Sequence, residues 1–196
     1  MKKTWIEREL DIQDLLGKRS HFLLGPRQTG KTSLILHRLP TVRLYDLLDS
    51  AVYLTFSRDP GRLAEEIGPS VEKVVIDEIQ RLPLLLNEVQ RLIDSRDVRF
   101  LLTGSSTRKL RRGGLNLLGG RARIVNLHPL TSHELGSQFD LHRAIERGML
   151  PSIYFSDDAA ADLEAYCGLY LQQEIMAEGA TRNIPSFSRF LKIAAH

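Results

Sequence analysis

The chain has 196 residues, of which 42% are hydrophobic and 26% charged, with 14 glycines and 8 prolines. These shares exclude a disordered chain, a collagen-like repeat and a low-complexity linker, and the length suits about one domain and a fraction of a second. The 27 basic and 24 acidic residues leave a net charge of +3, a balance that permits a nucleic-acid partner without requiring one.

Short apolar runs alternate with helix-like segments, the pattern of an α/β protein with a parallel sheet. Residues 21–24 read as a buried strand ended by Gly25-Pro26, and residues 31–39 as a helix stopped at Pro40. Residues 42–46 form a second strand candidate. A polar stretch around Arg58-Asp59-Pro60-Gly61 leads to a short helix over 63–67, closed by Gly68-Pro69. Residues 71–76 make the clearest strand, because Val74, Val75 and Ile76 are β-branched. Pro83 opens a helix to about residue 94, since proline suits the first helical turn. Strands follow at 98–102 and 123–127, around a mixed basic stretch at 107–118. From residue 157 onward the pattern is helical. Its last periodic set (Phe187, Phe190, Leu191, Ala194) meets no cap or breaker, which reads as a helix cut short in a longer protein.

The single cysteine, Cys167, excludes an internal disulfide and reads as a packed core thiol. Glu7, Arg8 and Glu9 interrupt any leader-like apolar stretch. No apolar run reaches the ~20 residues of a membrane span. The expectation is a cytoplasmic protein with no membrane partner.

Residues 25–32, Gly25-Pro26-Arg27-Gln28-Thr29-Gly30-Lys31-Thr32, fit the pattern G-x-x-x-x-G-K-[ST]. The glycines let the backbone curl so that successive N–H groups face phosphate oxygens, and the helix that follows adds the positive end of its dipole. Lys31 is placed to reach the β and γ phosphates, and the Thr32 hydroxyl to sit on Mg²⁺. With Ser33, residues 25–33 form the expected nucleotide-binding set. A second motif, Val74-Val75-Ile76-Asp77-Glu78, sets two carboxylates at the carboxyl end of a strand, where ligands bind in open parallel sheets. Asp77 is the expected second metal-holding residue and Glu78 the general base that polarises an attacking water. Arg108-Lys109-Leu110-Arg111-Arg112 is a basic run without aromatic residues, better suited to a solvated helix face than to stacking on single strands. The six histidines show no metal-ligand spacing.

Taken together, these strings resemble the AAA+ ATPases, and in particular a bacterial and archaeal subgroup of uncharacterised ATPases that carry a further C-terminal domain. The matching strings are residues 24–32, residues 76–83 (Ile-Asp-Glu-Ile-Gln-Arg-Leu-Pro), Leu102-Thr103-Gly104-Ser105-Ser106, Leu118-Gly119-Gly120-Arg121, and residues 127–135 (Leu-His-Pro-Leu-Thr-Ser-His-Glu-Leu). The first two correspond to the Walker A and Walker B motifs. The resemblance implies a three-layer αβα P-loop fold with a five-stranded parallel sheet in the order 5-1-4-3-2, followed by a helical segment. It implies an N-terminal segment at 1–18, a nucleotide-binding core at 19–150, and a lid-like segment with the start of a further domain at 151–196. It also implies a sensor after the fourth strand, with Ser105 the first choice and Thr103 the second. Arg121, ahead of Arg123, is the implied finger on the ATP of a neighbouring subunit, and if it acts in trans the protein must be a homo-oligomer. The expected activity is ATP hydrolysis with Mg²⁺ that drives or gates a conformational change. Two alternatives stay open: a slow-turnover ATP-dependent switch, and a nucleic-acid-handling ATPase of loader or helicase type.

Overall fold

The structure is a computed structural model and describes residues 5–105, 118–169 and 184–194. The basic run at 108–112 lies outside the described residues. The chain divides into two compact units, residues 1–138 and 139–196.

The first unit is built on five parallel strands: β1 Ser20–Leu24, β2 Arg43–Asp46, β3 Lys73–Asp77, β4 Arg99–Gly104 and β5 Ala122–Asn126. Their spatial order is β2-β3-β4-β1-β5, the expected 5-1-4-3-2 read from the other edge. The order reverses beside β1, which pairs with β4 on one side and β5 on the other. That arrangement opens a crevice beyond the carboxyl end of β1.

The pleat sends alternate side chains to opposite faces, and each face carries its own core. Phe22, Leu24, Val74, Ile76, Phe100 and Leu102 pack on one side. They meet helices α3 (Ser50–Arg58), α4 (Arg62–Glu66) and α5 (Leu85–Arg96). Leu23, Val75 and Leu101 pack on the other, against Ile12 and Leu16 of α1 (Ile12–Lys18) and Leu34 and Ile35 of α2 (Lys31–Arg38). Helices on both faces explain why the central strands read as continuous apolar runs rather than alternating ones.

The sequence reading has no helix at α1 or α3. Each is started by an aspartate whose carboxylate accepts two backbone N–H groups, Asp11 from Gln13 and Asp14, and Asp49 from Ala51 and Val52. α5 starts at Leu85 rather than Pro83, which sits in the preceding turn. A short helix, α6 (Ser132–Leu135), has a complete capping box between Thr131 and Glu134.

The second unit contains α7 (Leu141–Arg147), α8 (Pro151–Tyr154), α9 (Ala159–Leu169) and α10 (Ile184–Ala194). Tyr154 is fully buried there, and its hydroxyl accepts the Asp140 N–H at 2.8 Å. Cys167, expected inside, is exposed. The α9 face that bears Leu163 and Tyr166 is itself only half-buried, so this helix has little core to offer a thiol. No helix among the described residues is long and apolar enough to cross a membrane.

Candidate functional site: a phosphate loop beside an acidic strand end

The loop at 25–30 leaves the carboxyl end of β1 and turns into α2. Gly25 is obligatory on steric grounds, because a Cβ there would stand 2.2 Å from the Leu127 carbonyl oxygen. Gly30, immediately before α2, has a φ of +91°, in the left-handed region that glycine adopts without strain. Gln28 also takes a positive φ of 65°. Thr29 is fully buried, and its hydroxyl donates to the Pro26 carbonyl at 2.9 Å. The Lys31 side chain folds into the loop, where Nζ donates to the carbonyls of Gly25 (2.7 Å) and Pro26 (3.0 Å). A cleft of about 260 Å³ opens here, with Arg27, Lys31, Thr32, Ser33, Leu48 and Glu78 in its lining. A larger hollow of about 450 Å³ lies by Arg43 and Lys73 at the amino ends of β2 and β3, away from the loop.

The acidic strand end meets the loop directly. Asp77 is buried at the end of β3, and its Oδ2 accepts the Thr32 hydroxyl at 2.6 Å. Its Oδ1 accepts the Thr103 hydroxyl from the neighbouring β4. Thr103 in turn accepts the backbone N–H of Glu78 at 2.9 Å. One fully buried hydroxyl therefore orients both acidic residues, which assigns Thr103 a holding role within this network. Glu78 adopts a left-handed backbone (φ 59°, ψ 44°) that breaks β3 and turns its side chain toward the cleft. Such a strained non-glycine conformation is the kind found at functional sites.

Ser105, the first-choice sensor, follows directly on β4. Its Oγ is buried without a hydrogen-bond partner among the described residues, and so is Gln80 Oε1. Gln80 Nε2 donates to the Glu78 carboxylate. A Cβ at Gly104 would come within 2.7 Å of Gln80 Oε1, so a glycine there lets this amide pack against β4. Gln80 lies in the 76–83 stretch, but the sequence reading assigned it no role, since Gly104, against which its amide packs, stands on another strand.

Arg121 does not join this group within one chain. It precedes β5, whose first residue, Ala122, pairs with Ser20 at the amino end of β1. Its Nε donates to Asp94 Oδ1 on α5 at 2.6 Å, and the carboxylate beside it raises its pKa. Among the described residues no three His, Cys, Asp or Glu side chains converge as a metal site. The donors at hand are the oxygens of Thr32 and Asp77, a hard-oxygen pair of the kind Mg²⁺ takes when phosphates and water complete its shell. The Ser105 hydroxyl, buried and without a hydrogen-bond partner among the described residues, is a further polar group that fits a phosphate oxygen or water. The residues present thus fit a magnesium nucleotide.

The AAA domain family matches residues 17–136. Two uncharacterized mycobacterial proteins, one from Mycobacterium bovis and one from Mycobacterium tuberculosis, are each 30% identical over 185 residues. Those matches take in 89% of this chain and 40% of each relative, so the chain spans less than half the length of either. Among solved structures, a DNA replication initiation factor aligns at 16% identity with a TM-score of 0.45, over 94% of this chain and 59% of its own. Domain III of the replication initiation protein DnaA from Thermotoga maritima aligns at 16% identity and a TM-score of 0.38, over 88% of this chain and 83% of its own. The strand order, the loop and a family match across most of the first unit lead to one assignment: the chain belongs to the AAA domain family, as a P-loop ATP-binding module of the AAA+ fold.

Proposed function

We propose that this module binds ATP with Mg²⁺ in the 25–33 cleft and hydrolyses it, using the cycle to drive or gate a conformational change. The observation that carries the reading is the direct bond from the Thr32 hydroxyl to Asp77, with Glu78 beside it in the cleft lining. Bound magnesium supplies Lewis-acid neutralisation of the phosphate charge. Thr32 and Asp77 are the residues that hold it. The loop N–H groups and Lys31 bind and orient the phosphates. Glu78 accepts a proton from the attacking water, and Thr103 keeps the Glu78 backbone where that carboxylate reaches the cleft. Ser105 is the group that contacts the γ-phosphate or the water, and Arg121 serves the site of another copy.

Phosphate release from MgATP, measured with the full chain, tests the proposal. Lys31→Ala is expected to abolish ATP binding, and retained micromolar affinity contradicts the loop assignment. Glu78→Gln is expected to keep binding while losing turnover by at least a hundredfold, the low end for a general base. The slow-switch alternative has one observation in its favour, the Gln80 amide held on the Glu78 carboxylate. It predicts that Glu78→Gln leaves an already low release rate unchanged. Stimulation by DNA or RNA at low salt is the mark of the loader or helicase alternative, and its absence with several nucleic acids removes that reading.

A further inference from the structure

Residues 5–10, ahead of α1, lie along the loop and α2. The Trp5 ring stacks on His37 of α2 with centroids 4.0 Å apart, and Glu7 pairs with Arg38. Arg8, which follows Glu7, is 6% exposed, although arginine is rarely buried unless its donors are used. All three of its nitrogens find acceptors. Nε donates to Glu134 Oε1 at 2.9 Å, Nη1 to the Thr29 carbonyl at 2.8 Å, and Nη2 to the His128 carbonyl at 2.6 Å. Glu134 is itself fixed by the N–H groups of Thr131 and Glu9.

The Thr29 carbonyl belongs to the peptide that joins Thr29 to Gly30 in the phosphate loop. In a trans peptide the C=O of one residue and the N–H of the next point in opposite directions, and this chain has no cis peptide among the described residues. A carbonyl held on the outside of the loop therefore turns the Gly30 N–H inward. Gly30 does not enforce that choice, because glycine tolerates either orientation of the peptide before it. The enforcing atom is Arg8 Nη1, which also lies 4.0 Å from the position a Gly30 Cβ would take.

We propose that Arg8 is a positioning residue of the nucleotide site, holding the Thr29–Gly30 peptide so that it presents an N–H, not a carbonyl oxygen, to a phosphate. The inference rests on the reading of the cleft as a nucleotide site. The planar fork matters more than the charge. A lysine keeps the positive charge against Glu134 but has one nitrogen where Arg8 uses three.

Calorimetry with MgADP, which avoids turnover, tests it on the full chain. Arg8→Lys is expected to weaken affinity by about tenfold or more, the size of a lost charge-assisted hydrogen bond, and Arg8→Ala further still. Leu92→Ala is the control, because Leu92 is buried in the core on the opposite face of the sheet and its loss lowers stability without touching the loop. It is expected to bind MgADP as the wild type does. If Arg8→Ala does not fold, Arg8→Lys decides. Wild-type affinity in a folded Arg8→Lys protein overturns the inference and leaves the nucleotide site standing. So does a loss in Leu92→Ala that tracks melting temperature in the same way as the Arg8 variants. Absence of MgADP binding by the wild type defeats the nucleotide-site reading itself, and the inference with it.

Discussion

Gly25 shows how closely the phosphate loop is built onto the sheet. The Leu127 N–H donates to the Leu24 carbonyl at 2.7 Å, which draws the end of β5 against the start of the loop. A Cβ at residue 25 would enter that contact and meet backbone, which cannot rotate aside as a side chain can. Gly25→Ala is expected to destabilise the fold by about 3 kcal/mol, the upper range for overpacking a tight site. For a chain of this size that is a fall of roughly 6–12 °C in melting temperature. Calorimetric unfolding checks it, and an unchanged midpoint removes the steric argument. Residues of this kind are readable in sequence because they stand in one contiguous motif. Lys31, Thr32, Asp77 and Glu78 are named from spacing alone, and the fold brings them together at the cleft. Arg8 is different in kind. Its partners Thr29, His128 and Glu134 are brought to it only by the closing of β5 onto β1, so no local pattern announces it. Ser105 is ranked above Thr103 by resemblance alone, and that the Thr103 hydroxyl is bonded to Asp77 is seen only in the structure. A Ser/Thr pair at the end of a strand does not say which hydroxyl is spent on a neighbour.

At the scale of elements, the strands are the readable part, because burial on both faces forces continuous apolar and β-branched runs. All five expected strands appear with ends shifted by a residue or two, as hydrogen bonding rather than side-chain chemistry sets the last pair. The missed helices α1 and α3 carry mixed sequences, and their clearest signals are the capping aspartates Asp11 and Asp49. Strand β1 opens on two buried polar residues, Ser20 and His21. His21 is 3% exposed, with Nδ1 3.0 Å from the Arg19 carbonyl. Burial lowers its pKa below the usual value of 6.5, assisted by the charges of Arg123 and Arg19 and opposed by the Arg19 carbonyl. The consequence for stability has a definite sign. Above the unfolded value, neither state holds the extra proton. As pH falls below about 6.5, the unfolded chain takes a proton that the folded ring refuses. Stability is therefore lost from that point down to the folded pKa, with a slope of at most about 1.4 kcal/mol per pH unit. His21→Leu is expected to remove this part of the acid slope, with the other histidines unchanged. Denaturant unfolding at a series of pH values reads the difference, and parallel curves for the two proteins refute it.

At the scale of the whole molecule, the order of the strands came from resemblance and not from spacing, since alternating strands and helices fix neither neighbours nor edges. That order decides what Arg121 can do. It precedes the edge strand β5 at the amino end of the sheet, whereas the loop leaves the carboxyl end of β1. An arginine so placed, and paired with Asp94, lies at the end of the sheet opposite to the phosphate loop of its own chain. Side-by-side assembly in which one copy completes the site of the next is a heterologous contact, which closes into a ring when the rotation allows. If Arg121 is the finger, Arg121→Ala is expected to lose turnover by about a thousandfold or more while ATP binding persists. Lys31→Ala is inactive for the separate reason that its loop holds no phosphate. Mixed in equal amounts, the two inactive proteins form some contacts in which an intact Lys31 faces an intact Arg121, about a quarter of them in a randomly assembled ring. Phosphate release should then recover to a fraction of that order. The mixture has to be assembled from separated subunits, because preformed rings that do not exchange would hide the effect. Recovery requires a residue supplied by the neighbour, and silence in a mixture shown by mass to contain both chains excludes one.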